Sequence, residues 1–442
     1  MIQKKFVREE QHMDLLHEIF ANEVFPAIGC TEPISCAYTA AAAVEQLQST
    51  PDAIDLIVDA GTFKNGAAVT VPNSGGEKGN IIAAALGAVI AQSGHRLEIL
   101  KNVTPEILER ARSLVSTGTI KYTCKEDEKR FHVEVFARKD GSHVRCVVSE
   151  GHTNITCLEK DGKSIIDDHP HGGTKMMDYR DMMRQMAFEE VLREAIKLDD
   201  SLRAYIQHGI DLNMTIAEKG IDMKRTGYQI WQMMQNGLQA NDLFYQVKLR
   251  VACAVDARMG GMPEPVMTSG GSGNQGALTI IAPYVVGRHQ GVDIGSIQES
   301  IAISHAVNSY IKCFTGELSV ICGCAIAASI AAAVAMVYQK AGIDMQKIYL
   351  AMDNVIGDLC GIICDGAKPG CSMKIVSGAE TAMRSAFMAL SGYGLSSEDG
   401  VLGRSPEESI LNIGKISLQG MFAVDPTVVH IIQGKSGRSG LA

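Results

Sequence analysis

The sequence predicts an α+β protein, with an N-terminal α+β portion built on a mainly antiparallel sheet and an all-α C-terminal domain. Residues 119–166 alternate apolar and polar as strands do, in Phe131–Phe136, Val144–Val148 and Thr153–Leu158. Their turns, Lys139-Asp-Gly141 and Lys160-Asp-Gly162, carry the Asp-Gly step that suits a hairpin. From about residue 180 onward nearly every segment has helical periodicity. Between the two, 167–177 holds two histidines, His169 and His171, with two glycines, and reads as a linker. The expected division is therefore 1–175 and 176–442, consistent with a soft prior of ~150 residues per domain.

The elements follow in order. Residues 9–24 carry a helical pattern that ends at Phe25-Pro-Ala-Ile-Gly29. Thr31-Glu-Pro33 opens a helix to about Gln48, with proline in the first turn where its missing N–H costs nothing. Ile54–Val58 and Ala67–Val71 read as short strands around Gly61-Thr-Phe-Lys-Asn-Gly66. A glycine-rich loop, Asn73–Gly79, leads into an apolar helix over 80–92. Beyond the linker, helices are expected at 180–198, 201–218, 228–259, 276–288, 296–312, 320–340, 345–363, 376–391 and 406–418, with a fraying tail after Gln433.

Composition narrows the function. Charged residues make up 21% and the net charge is -9, which argues against nucleic acid or an anionic membrane surface as partner. The apolar runs 81–92 and 320–338 read as buried core helices: the first is too short to span a bilayer, and the second is alanine-rich and opens with a Cys-Gly-Cys turn. Twelve cysteines are an enrichment far below a disulfide scaffold, and the N-terminus lacks the apolar core of a signal peptide. The expectation is a cytoplasmic, soluble homo-oligomer with free thiols.

The cysteines carry the chemistry. Cys322 and Cys324 lie in Ser319-Val-Ile-Cys-Gly-Cys324, at the expected start of a helix whose dipole favours thiolate. Cys364 and Cys371 flank Asp365-Gly-Ala-Lys-Pro-Gly370. Thiols beside tight turns suit iron–sulfur ligation, and three of them would leave one iron of a cubane open as a Lewis acid. The competing reading makes them buried small hydrophobes, as it does Cys253, Cys313 and Cys360. Zinc is disfavoured, because no Cys-x-x-Cys pair exists and the two histidines are isolated.

Cys30 precedes a helix N-terminus, where free N–H groups lower a thiol's pKa. It suits a base for an α-proton or a labile iron ligand; the plainer reading is a cap, with Glu32 complementing the dipole. Thr31 and Glu32 are counted as substrate contacts. Gly271-x-Gly273-x-x-Gly276 matches a dinucleotide fingerprint only formally, since what lies upstream is irregular and then helical. The loop Ser269–Gly276 reads instead as an anion nest for a carboxylate, formed with Ser269, Ser272, Asn274 and Gln275. Lys64, Asn65 and Lys368 are further candidate contacts.

Taken together, Gly29-Cys-Thr-Glu-Pro33, Gly270-Gly-Ser-Gly-Asn-Gln-Gly276, Cys322-Gly-Cys324 and Ile363-Cys-Asp-Gly-Ala-Lys-Pro-Gly-Cys371 resemble the L-cysteine desulfidase family. That family is also described as serine dehydratase-like and is related to the iron–sulfur L-serine dehydratase α domain. The resemblance implies a [4Fe–4S] enzyme that eliminates sulfide from L-cysteine and leaves pyruvate and ammonia. It implies cluster ligands at Cys364, Cys371 and either Cys322 or Cys324, with Cys322 favoured, and a proton acceptor at Cys30. L-Serine is the alternative substrate of the same apparatus. The remaining alternatives are a pyridoxal phosphate lyase using Lys64, and a redox- or iron-sensing cluster protein.

Overall fold

The computed structural model describes residues 14–436, other than 129, 150, 168–178 and 317. The expected 175/176 division, His169 and His171, and the linker apart from Asp167 lie outside the described residues. The first half runs α1 (Leu15–Glu23), β1 (Pro26–Ala27), α2 (Thr31–Leu47), β2 (Ala53–Asp59), α3 (Ala60–Gly66), α4 (Asn80–Ile90) and α5 (Pro105–Ser116). Strands β3 (Ile120–Lys125), β4 (His132–Lys139), β5 (Ser142–Ser149), β6 (Ile155–Lys160) and β7 (Lys163–Asp167) follow. Then come α6 (Tyr179–Gln185), α7 (Phe188–Ala195), α8 (Asp200–Lys219), α9 (Thr226–Gln235), α10 (Leu243–Met259) and β8 (Val266–Met267). The chain closes with α11 (Gly273–His289), α12 (Ile294–Thr315), α13 (Ala327–Ala341), α14 (Met345–Leu359), α15 (Cys371–Leu390), α16 (Pro406–Lys415) and α17 (Val424–Ser436).

This is the expected α+β architecture. The six-stranded sheet has the order β3-β2-β4-β5-β6-β7, antiparallel throughout except for the parallel pair β2–β3. Both Asp-Gly turns hold their residues at positive φ (Asp140 48°, Gly141 85°; Asp161 51°, Gly162 75°), the twist that tight hairpins need. One face buries Ile54, Leu56, Val133, Val135, Val144 and Cys146 completely, and α2 packs against it with α4 alongside. Gly87 permits that helix pair to touch, since a Cβ there would stand 1.9 Å from the Ala37 carbonyl oxygen.

A second core fills the helical body. Its centre is α13, whose residues Ala327–Val337 are all buried, so the alanine-rich run is a helix apolar on every side and enclosed by α11, α12, α14 and α15. Among the described residues no helix is long and apolar enough to cross a membrane. Leu15, Leu16, Ile19, Phe20 and Cys30 belong to this second core. From α1 in the helical body the chain leaves to build the sheet and then returns.

Several expected elements differ. Gly61–Gly66 is helical and Ala67–Val71 is no strand, because Asp59 caps α3: its carboxylate accepts from the Thr62 N–H (2.9 Å) and hydroxyl (2.6 Å). The helix expected over 228–259 breaks at Asn236-Gly237, and Asp242 recaps the second piece through the Tyr245 N–H at 2.8 Å. That expected over 180–198 breaks between Gln185 and Phe188. Helices α5 and α17 were not anticipated. Helix α13 starts at Ala327 rather than 320, because residues 320–322 pair with 362–364: the Cys322 N–H donates to the Ile362 carbonyl (2.8 Å) and the Cys364 N–H to the Val320 carbonyl (2.7 Å).

Candidate functional site

That pairing brings the two cysteine loops together. Cys322 and Cys324 therefore occupy a turn before α13 rather than its first turn, while Cys371 is the first residue of α15. The short β1–β8 pairing, Pro26 with Met267 and Ala27 with Val266, sets the Cys30 segment beside the glycine-rich loop. The Glu23 carbonyl clamps that loop by accepting from the Gly271 N–H and the Thr268 hydroxyl, each at 2.9 Å.

These segments surround one cleft with a larger and a smaller adjoining chamber, which share Thr31, Glu32, Asn65, Ser272, Cys322, Cys324 and Cys364. The larger adds Lys64, Gln275, His152 and Lys312; the smaller adds Cys30, Asn274, Arg258, Cys371 and Lys374. Cys30 and Lys374, 344 positions apart in sequence, thus line one space.

Glu32 is its organising acid. It is buried, and its Oε2 accepts from the Cys30 thiol (2.8 Å) and the Thr31 hydroxyl (3.3 Å), its Oε1 from the Asn65 amide (2.9 Å). Burial pushes the Glu32 carboxyl up, but His152, the Cys30 hydrogen bond and Arg258 outweigh it and hold the group below its ordinary value. Cys30 goes the other way: burial, then the Glu32 charge, push its thiol well up. The expected lowering by the helix N-terminus does not prevail, and the thiol stands as a proton donor to the carboxylate.

Two expected contacts face elsewhere. Ser269 is fully buried behind the loop, where its hydroxyl meets His305 Nδ1 (2.9 Å) and the Asn308 amide (3.0 Å). Lys368 pairs with Asp365 within its own loop and lines neither chamber. Others reach the cleft already bonded. The Asn274 Oδ1 accepts from Arg258 (3.0 Å) and the Gln275 Oε1 from Asn308 (2.9 Å). Ser272 caps α11. The Lys64 ammonium donates to the Cys364 carbonyl (3.0 Å) and to Asp425 (2.5 Å), which leaves it a structural bridge and a poor match for a pyridoxal lysine.

The four cysteines are free thiols around the smaller chamber. The Cys324 thiol hydrogen-bonds the Cys322 sulfur and, with the Ala325 N–H and Lys374, holds Cys322 below its ordinary value. Burial pushes Cys371 up to about 11 and raises Cys364 despite nearby Lys64. Lys374 donates to the Ile363 carbonyl at 2.7 Å, so two lysines set positive charge against the cysteine loop. Among the described residues no three His, Cys, Asp or Glu side chains close on the position of a single ion. Thiols ringing a chamber, with cations behind them, fit instead a multi-iron group whose ligands stand around its outside.

His152, Arg258, Lys312 and Lys374 escaped the sequence reading. Arg258 looks like an ordinary last-turn cation and Lys374 like a solvated helix residue; only tertiary packing turns them inward.

Fold and cleft together define an α+β unit joined to a helical body, with a cysteine-lined site between them. The serine dehydratase alpha chain family matches residues 94–430. The UPF0597 protein of Geobacter sulfurreducens is 45% identical over 421 residues, covering 95% of this chain and 98% of its own. The UPF0597 protein of Elusimicrobium minutum is 40% identical over 423 residues (96% and 100%), and that of Clostridium tetani 34% over 418 (95% and 98%). No solved structure matches. The chain belongs to the serine dehydratase alpha chain family, which points to lyase chemistry of the serine dehydratase kind.

Proposed function

We propose that the protein is a cytoplasmic iron–sulfur lyase that eliminates sulfide from L-cysteine, giving 2-aminoacrylate, which hydrolyses to pyruvate and ammonia. The observation that carries this reading is the meeting of Cys322, Cys364 and Cys371 with Cys30, Glu32 and the Gly270–Ser272 loop in one cleft. The three thiols would hold a [4Fe–4S] cluster, with Cys324 the alternative to Cys322. When bound, the cluster supplies an open iron that is a soft Lewis acid for the leaving sulfur.

The chain's own residues do the rest. The N-terminal end of α11, capped by Ser272, faces the cleft and offers its positive dipole end to one end of the substrate. Cys30 removes the α-proton after passing its own proton to Glu32 Oε2, 2.8 Å away; the pair then holds both protons until one returns to the leaving group. Asn65 and Thr31 keep Glu32 aimed at Cys30.

Dehydration of L-serine is the second reading, favoured by the family match itself. Anaerobic purification, a visible spectrum with iron and acid-labile sulfide analysis, and parallel additions of L-cysteine and L-serine test both. A brown chromophore perturbed by cysteine, with release of sulfide and pyruvate, is expected. Pyruvate from serine alone moves the assignment to the dehydratase, and a colourless protein that reconstitution cannot fill sinks the cluster.

A further inference from the structure

We propose that Arg258 anchors the substrate's carboxylate, a role that rests on reading the cleft as an amino-acid site. Arg258 lies in the last turn of α10 and is only 3% exposed. Its Nη1 donates to Asn274 Oδ1 at 3.0 Å, and its Nε is buried without a hydrogen-bond partner. That single bond to a neutral amide is all the guanidinium makes among the described residues. Glu32 feels its charge but spends its own oxygens on Cys30, Thr31 and Asn65.

A buried cation with no carboxylate in hydrogen-bond contact is costly, so a site that keeps one is built to receive an anion. Arg258 lines the chamber that also holds Cys30 and Ser272. An anion there lies between the proton-transfer pair and the cysteine loops, the place of the substrate's carboxylate. Guanidinium takes a carboxylate in bidentate fashion, which fixes orientation as well as charge. Two residues serve this placement. Asn274 holds one nitrogen of the fork, and Gly273 leaves room for it, since a Cβ there would stand 2.3 Å from Arg258 Nε. The amide at Asn274 therefore positions the anchor instead of binding the substrate itself.

The test uses L-alanine and L-alaninamide, which differ at the carboxylate and carry no leaving group, so neither turns over. Their binding to anaerobically purified wild-type, Arg258→Gln and Arg258→Lys proteins is measured by calorimetry, alongside iron content. Wild type should prefer L-alanine by roughly 30-fold or more, the effect of a buried charge pair. Arg258→Gln should abolish the preference and keep its iron. Should Arg258→Gln not fold, Arg258→Lys decides, with an expected fall in preference of about tenfold from the lost second hydrogen bond. A preference unchanged in the variants overturns the proposal, as does loss of iron with the preference intact, which would make Arg258 a counter-charge to the cluster. Wild type that binds neither probe overturns the amino-acid reading and the anchor together. A preference lost in Arg258→Gln leaves the anchor standing even if no cysteine is cleaved.

Discussion

The Lys64 ammonium donates to the carbonyl of Cys364 over 3.0 Å, although 300 residues separate the two in sequence. Lys64 belongs to α3, beside the sheet, and Cys364 to the cysteine loop of the helical body. Asp425, on α17, completes the bridge at 2.5 Å. The loop meets α3 so closely that a Cβ on Gly366, which sits at φ +97°, would stand 2.2 Å from the Lys64 carbonyl oxygen. One buried cation thus ties together the sheet portion, the cysteine loop and the last helix.

Breaking that bridge from one side should be costly. Asp425→Asn leaves the Lys64 charge, 1% exposed, without its carboxylate, and an expected loss of about 3 kcal/mol follows from stranding a buried charge. Glu98→Gln, in the exposed Lys101–Glu98 pair, should change stability by less than about 0.5 kcal/mol. Urea denaturation of both variants against wild type measures the contrast, and equal losses would remove the bridge from the account.

The cluster assignment predicts metal content directly. Cys364→Ala and Cys371→Ala should lose iron and acid-labile sulfide, whereas Cys313→Ala, a buried cysteine outside the cleft, should keep both. Cys322→Ser should behave as the first two and Cys324→Ser as the third. The reverse result would make Cys324 the third ligand.

Cys30 and Glu32 should separate chemistry from metal binding. Cys30→Ala and Glu32→Gln are expected to retain iron while kcat falls by roughly 10²–10⁴, the usual scale for losing a general base. Iron loss in Cys30→Ala alone would reassign that thiol as a ligand.

Away from the cleft, Asp353 predicts a pH effect on stability. Burial raises its carboxyl to about 7, against the hydrogen bonds from Ser409 and Tyr349 that favour the charged form. Because the folded pKa lies above the unfolded value, the folded state binds the extra proton. This contribution to stability is complete at acid pH and disappears as pH rises through about 7. Asp353→Asn should therefore gain on wild type between pH 5 and 8, by no more than about 2 kcal/mol after solvent screening. A flat difference across that range would contradict it.

Local rules carried much of the fold. The Asp-Gly turns, the alternation over 131–158 and the proline at the start of α2 act within a few residues, so β4, β5, β6 and α2 were readable in the sequence. Helix α3 was not, because its cap is a single aspartate at the end of a strand and its interior contains two glycines and an asparagine. The breaks within 180–198 and 228–259 were also missed, although the second falls at Asn236-Gly237 and Asp242, turn and cap residues that act locally. In the site, the thiols and Cys30 were legible as candidates from residue type beside turn residues, and the cleft gathers them. Ser269 and Lys368 were misplaced because spacing along a loop does not say which way a side chain faces.

The sequence by itself determined the α+β class, the buried alanine-rich helix and the residue types available for chemistry, since these follow from periodicity and composition. The tertiary structure decided which of them share a space: the pairing of 320–322 with 362–364, the β1–β8 clamp, and the inward turn of Arg258, His152, Lys312 and Lys374. It also decided that Cys30 is the donor and Glu32 the charged partner, because burial and neighbouring cations act through distance in space.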